Sequence, residues 1–215
     1  MKFILFVEGH TEDKALPAFL KRWLDPKLDF PVGIQTVRFD GWPDLWQSAA
    51  KKANMYLKGP SGDKIIAVIS ILDLYGPTIY PVQFAKKDER VAWGKQELEK
   101  RVKEEGFFPF FAVHEVEAWL LSQPDLFPLG VRNAFPGKIV DPETVNFDEP
   151  PAKLLDRLYR QHTKHPYKKV INGRDLFSRL DPDRACEKCP QLQELLDTML
   201  RLARERGLVS RRQGE

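Results

Sequence analysis

Glu8, Asp73 and the pair Glu115 and Glu117 each follow a short apolar run that reads as a strand: Lys2–Val7, Lys64–Leu72 and Phe107–Val113. Carboxylates carried by the ends of three strands are distant in the chain but can meet in space. Brought together unpaired, they repel one another and hold their protons more tightly, so such a cluster wants a cation. Oxygen donors with no cysteine beside them suit Mg²⁺ or Mn²⁺ better than zinc. An ion held this way binds phosphate oxygens and activates water. Taken one at a time, each acid reads better as a turn or helix-start residue; it is the coincidence at three strand ends that points to a site.

The other polar residues near these ends sort by chemistry. Glu115 and Glu117 would point roughly 200° apart on a helix but to one side on a strand; if a helix starts at Glu115, only one of them faces the site, with Glu117 read as the ligand and Glu115 as its support. His114 reads as a hydrogen-bonded structural residue or a base. His10, in the turn after Glu8, is a candidate for phosphate contact, as are Lys168, Lys169 and Arg174, whose charge suits a transferring phosphoryl group. Gly9 lets the chain turn closely past a bound phosphate. Tyr75 either packs its loop, stacks on a base or positions water.

The elements that must hold these groups follow from pattern. Gly33–Phe39 reads as a further strand, with Asp40 and Gly41 at its end. Lys64–Leu72 is nearly continuous and β-branched, as a central parallel strand should be. Thr11 is expected to cap a helix running to Leu24, with Leu16, Phe19, Leu20 and Trp23 on its inner face. Helices are also expected over Pro43–Leu57, Glu89–Glu105, Glu115–Ser122, Pro151–Gln161 and Pro190–Arg206. Residues 73–82 read as loop, and the prolines between 124 and 151 as a long irregular connection. Strands alternating with helices over residues 1–122 define an α/β core with a mainly parallel sheet. Residues 123–215 are expected to form an irregular connection and a basic helical region packed on it. In such a sheet, ligands bind at the edge where the strands end.

The chain of 215 residues is 42% hydrophobic and 30% charged, enough apolar material for one sizeable core and too much for a disordered tail. Residues 1–150 carry 19 Lys and Arg against 22 Asp and Glu, a net of −3, and residues 151–215 carry 15 against 9, a net of +6. An acidic body beside a basic tail suits a metal site next to a polyanion surface. No apolar run approaches the ~20 residues needed to cross a bilayer, the first residues turn acidic too early for a signal peptide, and two cysteines make no disulfide framework. A soluble, cytoplasmic protein is expected. Cys186-x-x-Cys189 with His162-x-x-His165 has the types but weak spacing for zinc, and Gly59–Lys64 lacks the spacing of a phosphate-binding loop.

Three segments together carry a resemblance: FVEGHTED (Phe6–Asp13), ILDLYG (Ile71–Gly76) and HEVEAWLL (His114–Leu121). They resemble the Toprim-like domain-of-unknown-function family 4276, related to the Toprim domains of overcoming-lysogenization-defect nucleases. Lys168, Lys169, Gly173, Arg174 and Cys189-Pro190 fall in the order of that family's C-terminal pattern. The resemblance implies a Toprim-like, Rossmann-like α/β fold with a helical C-terminal extension. In Toprim proteins the glutamate after the first strand and an Asp-x-Asp after the third hold Mg²⁺ for phosphodiester chemistry. Glu8 and Asp73 match the first two of these acids; Tyr75 stands where the second aspartate would be, so Glu115 or Glu117 must supply the missing charge. The resemblance thus implies an Mg²⁺- or Mn²⁺-dependent nuclease, with Glu8, Asp73 and Glu117 as metal ligands, nucleic acid as substrate, and a role in phage defence beside a partner ATPase. The alternative is a non-catalytic module of the same fold that binds nucleic acid or an ATPase.

Overall fold

A strand whose side chains are apolar on both faces must be covered on both faces, and this decides the centre of the molecule. The computed structural model describes residues 1–137, 139–145 and 149–208; residues 209–215, counted in the basic balance above, lie outside them. In chain order it contains β1 (Lys2–Val7), α1 (His10–Leu24), β2 (Gly33–Arg38), α2 (Gly41–Leu57), β3 (Ile65–Asp73), α3 (Lys87–Val102) and β4 (Phe107–Ala112). These are followed by α4 (Glu117–Leu121), α5 (Leu129–Asn133), α6 (Pro151–Thr163), α7 (Arg174–Arg179), α8 (Pro182–Lys188) and α9 (Pro190–Glu205). The strands form one parallel sheet in the order β2-β1-β3-β4. The α/β class and the parallel sheet read from the sequence are therefore what the chain adopts.

Successive residues of a strand face opposite ways, and the two faces carry two separate apolar clusters. Phe3, Leu5 and Val7 of β1 pack with Ile69 and Ile71 of β3 against α1, α7 and α9. Ile4 and Phe6 of β1 pack with Val68 and Leu72 of β3 against α2 and α3. On the first face Phe19 of α1 lies between Trp119 (ring centroids 6.2 Å apart) and Phe177 (5.6 Å). Leu192, Leu195, Leu196 and Met199 of α9 complete the same cluster. The C-terminal region thus shares its core with α1.

The order reverses between β1 and β3: the chain leaves β1 toward β2 on one side, and leaves β3 toward β4 on the other. Loops that part in this way open a crevice at the strand ends, where ligands bind in open parallel sheets. Glu8 and Asp73 stand on either side of it.

Several local expectations change. α1 starts at His10 with Gly9 as its N-cap and no side-chain cap bond, so Thr11 is not the cap; it is buried within the first turn. α3 ends at Val102, where Lys103 takes a left-handed conformation (φ 55°). The stretch after Gln123 includes the one-turn α5. The chain between α6 and α9 winds through a π-turn (Lys169–Gly173), α7 and α8, none of which is long enough to show a period in the sequence.

Candidate functional site

The register of the sheet sets the geometry. Val7 pairs with Ile71 and Asp73 with Ala112, so the chain leaves β1, β3 and β4 at nearly one level. Glu8 turns across the crevice, and its Oε1 accepts a hydrogen bond from the Asp73 backbone N–H (2.8 Å). Asp73 Oδ1 in turn accepts from the Val116 N–H (3.1 Å), beyond the end of β4. The first two expected acids thus meet, each fixed by the backbone of the next strand exit.

α4 starts at Glu117, so Glu115 lies before the helix. The expectation that only one of the two would face the site assumed a helix beginning at Glu115, and it does not hold: Lys169 Nζ lies 3.2 Å from Glu115 Oε1 and 3.3 Å from Glu117 Oε2. Glu115 Oε2 also accepts from the Ala152 N–H (2.8 Å) in the first turn of α6. That is a favourable place for a carboxylate, since the first N–H groups of a helix have no partner within it. Glu117 is fully buried, and among the described residues neither of its oxygens has a partner in hydrogen-bond geometry.

A fifth acid, Glu12, joins them. It is buried in the first turn of α1, and its Oε2 has no hydrogen-bond partner among the described residues. A Cβ built on Gly9 would lie 2.6 Å from that oxygen, so the absence of a side chain at Gly9 is what lets Glu12 lie back against the turn. In the sequence Glu12 has the look of an ordinary first-turn acid of α1. Its signal was the spacing Glu8-x-x-x-Glu12, which places it one helical turn beyond the strand-end glutamate.

Burial and mutual repulsion shape the protonation of the cluster. Burial raises Glu8 to about 7, against the Asp73 N–H bond that lowers it. Burial raises Glu117 to about 7 as well, although Lys169 pulls it down. Asp73 is pushed well above its ordinary value by burial and then by Glu12, and burial also raises Glu12. For Lys169 burial opposes the charge, but Glu117, Asp73, Glu115 and Glu12 outweigh it, so its ammonium is held above the ordinary lysine range. The Tyr167 hydroxyl, buried nearby, is also raised, by burial and then by Glu117.

The remaining expected residues separate. Lys169 enters the cluster from the π-turn, which approaches α1 closely: a Cβ on Gly173 would lie 3.1 Å from Thr11 Cγ2. Lys168 is exposed, with its backbone N–H bonded to Asn172 Oδ1 (2.7 Å). Arg174 is exposed and lines a groove of about 620 Å³ with Lys14, Val170, Ile171, Asp175 and Ser178. His10 is exposed at the start of α1. His114 is buried, and burial followed by the charges of Lys87 and Arg90 lowers it to about 4, so it is neutral near pH 7. Tyr75 accepts a hydrogen bond at its hydroxyl from Lys153 Nζ (3.0 Å). Cys186 and Cys189 are free thiols, both raised by burial.

Among the described residues no three His, Cys, Asp or Glu side chains stand ready-arranged as a coordination shell. The bonds above join Glu8, Asp73 and Glu115 to backbone N–H groups, and Glu115 and Glu117 to Lys169. The donors themselves suit a hard divalent cation. They are all oxygen, and three of the buried oxygens, Glu12 Oε2 and both of Glu117, lack hydrogen bonds.

An α/β protein with an acidic cluster at its sheet's reversal point is the class defined so far. The family follows from a match of residues 7–200 to the model of a domain of unknown function, DUF4276, and the chain belongs to that family. Among solved structures it is similar to the C-terminal region of the Burkholderia pseudomallei OLD protein, at 19% identity over 93% of this chain and 97% of that one, with a TM-score of 0.48. It is also similar to the C-terminal region of the Xanthomonas campestris pv. campestris OLD protein phased with iodine, at 18% identity over 95% and 97%, with a TM-score of 0.42. The search of curated proteins found no match. No helix among the described residues is long and apolar enough to cross a membrane.

Proposed function

We propose that this chain is a Toprim-like, divalent-cation-dependent phosphodiesterase acting on nucleic acid. The observation that supports it is the gathering of Glu8, Glu12, Asp73, Glu115 and Glu117 around the Lys169 ammonium at the crevice between β1 and β3. Glu8, Glu12, Asp73 and Glu117 would hold Mg²⁺ or Mn²⁺, which supplies Lewis acidity toward a phosphate and lowers the pKa of a bound water. Lys169, anchored by Glu115, is placed to balance charge on a phosphoryl oxygen. His114, neutral near pH 7, carries no charge to the phosphate. Lys14 and Arg174, on the groove beside the π-turn, extend a basic path for the nucleic-acid backbone, and the exposed Lys168 and His10 remain candidates for phosphate contact. Work beside a partner ATPase in phage defence, in the cytoplasm, completes the reading that the sequence resemblance suggests.

One observation favours a second reading, a binding module without catalysis: Tyr75 stands at the position of an acid, and backbone N–H groups already satisfy Glu8 and Asp73. Calorimetry with Mg²⁺ and Mn²⁺ on wild type and Glu8→Gln, together with cleavage of labelled DNA and RNA by wild type and Asp73→Asn, separates the two. Metal uptake lost in Glu8→Gln and cleavage lost in Asp73→Asn support the phosphodiesterase. Nucleic-acid binding by a wild type that takes up no metal and cleaves nothing supports the module.

A further inference from the structure

Tyr75 leaves β3 on the same edge as Asp73, two residues further along, and its backbone N–H donates to the His114 carbonyl (2.9 Å). Its ring is therefore tied to the exits of both β3 and β4. The residue that meets it comes from another part of the chain. Lys153 lies in the first turn of α6, directly after Ala152, whose N–H holds Glu115. The Lys153 ammonium donates to the Tyr75 hydroxyl at 3.0 Å and lies 5.4 Å from the centre of the ring. One turn of helix thus binds an acid of the cluster with its backbone and the neighbouring tyrosine with its side chain.

The hydrogen-bond inventory of this pair has a direction. An ammonium has three N–H donors, and one is given to Tyr75. The phenol oxygen accepts that bond, which leaves its own O–H to donate elsewhere. Lys153 is exposed and Tyr75 partly so. The two groups together present several donors and one positive charge to solvent, beside a cluster of carboxylates that would repel an anion.

We infer that Lys153 and Tyr75 form a phosphate-binding pair that grips the nucleic-acid backbone next to the carboxylate cluster, at a phosphodiester flanking the one that reacts. This rests on the phosphodiesterase reading above and adds two binding residues to it. Tyr75, in the position of an acid, thereby serves the substrate's phosphate.

The test uses the full chain, a fluorescently labelled single-stranded oligonucleotide, and Ca²⁺ in place of Mg²⁺ for binding. Anisotropy titrations between about 50 and 200 mM salt compare wild type, Lys153→Met, Lys153→Arg and Tyr75→Phe. Lys153→Met is expected to bind roughly tenfold more weakly, and its salt dependence to flatten by about 0.7 in log–log slope, the value of one single-strand phosphate contact. Lys153→Arg should restore both. Tyr75→Phe keeps the ring and should weaken binding with the salt slope unchanged; it also reports on the pair if Lys153→Met fails to fold. In cleavage assays with Mg²⁺ the losses should fall on KM rather than kcat. Wild-type affinity and slope in Lys153→Met and Tyr75→Phe, with wild type binding and cleaving, would overturn this inference alone. A wild type that neither binds nor cleaves overturns the phosphodiesterase reading along with it.

Discussion

Replacing Glu117 by glutamine should stabilise the metal-free protein at alkaline pH and leave it unchanged in acid. Glu117 has no exposed surface, and burial lifts its pKa from 4.5 to about 7. Below the unfolded pKa the group is protonated in both states and contributes nothing. As pH rises above it, the unfolded chain releases the proton while the folded chain keeps it, so folding loses about 1.4 kcal/mol per pH unit until the folded group also ionises. The full difference sets a ceiling of about 3 kcal/mol at alkaline pH. Glutamine keeps the shape and removes the ionisation, at the expense of the 3.3 Å contact with Lys169, which retains Glu115 at 3.2 Å. A net gain of roughly 1–3 kcal/mol at about pH 8, vanishing below about pH 4, is therefore expected. Urea denaturation in a chelator across that range measures it. If Glu117→Gln is destabilised by the same amount at every pH, the carboxylate is held favourably by Lys169 and the account of a strained, cation-seeking cluster is wrong.

Three further outcomes are expected. Gly9→Ala is allowed by the backbone (φ −134°) but drives a methyl group to 2.6 Å from Glu12 Oε2; stability should change little while Mg²⁺ affinity, read by calorimetry, falls by about 10–100-fold. Saturating Mn²⁺ or Mg²⁺ should raise the melting temperature of wild type, by about 3 kcal/mol of stabilisation at a hundredfold excess over Kd, and should not raise that of Asp73→Asn; equal shifts would place the ion elsewhere. Phe177→Ala removes a fully buried ring lying against Phe19 and Trp119 and should cost about 3–5 kcal/mol in denaturant titration, whereas a loss under 1 kcal/mol would mean that α7 packs on α1 only loosely.

The sheet was legible because its central strands are apolar on both faces and end in acids, and a parallel sheet has one edge where such ends gather. Glu8, Asp73, Glu115, Glu117 and Lys169, singled out in the chain as candidates, lie together at that edge. Glu12 was not singled out, because an acid in the first turn of a helix is also what the helix dipole favours, and the two causes leave the same residue in the same place. Lys168 and Lys169 are alike as neighbours in sequence; the π-turn turns one into the cluster and leaves the other exposed. The contact of Lys153 with Tyr75 left no signal for a similar reason, since any lysine on an exposed helix face reads as solvation. α7 and α8, at six and seven residues, span too few turns for a hydrophobic period to emerge.

The strand ends bring the acids together, but the region after residue 122 supplies what they need to stay together. Lys169 and the first turn of α6 are the positive partners of Glu115, and Lys169 is also that of Glu117; both elements lie in that region. They are held there by an apolar cluster in which α6, α7 and α9 pack with α1, the helix that carries Glu12. Burying five carboxylates near one another is unfavourable by itself, and the raised pKa values of Glu8 and Glu117 record that cost. The packing around Phe19, Trp119 and Phe177 offsets it, and it fixes the acids and the lysine in one frame. The C-terminal helices therefore complete the site: without them the crevice would keep its acids and lose the lysine that tempers them.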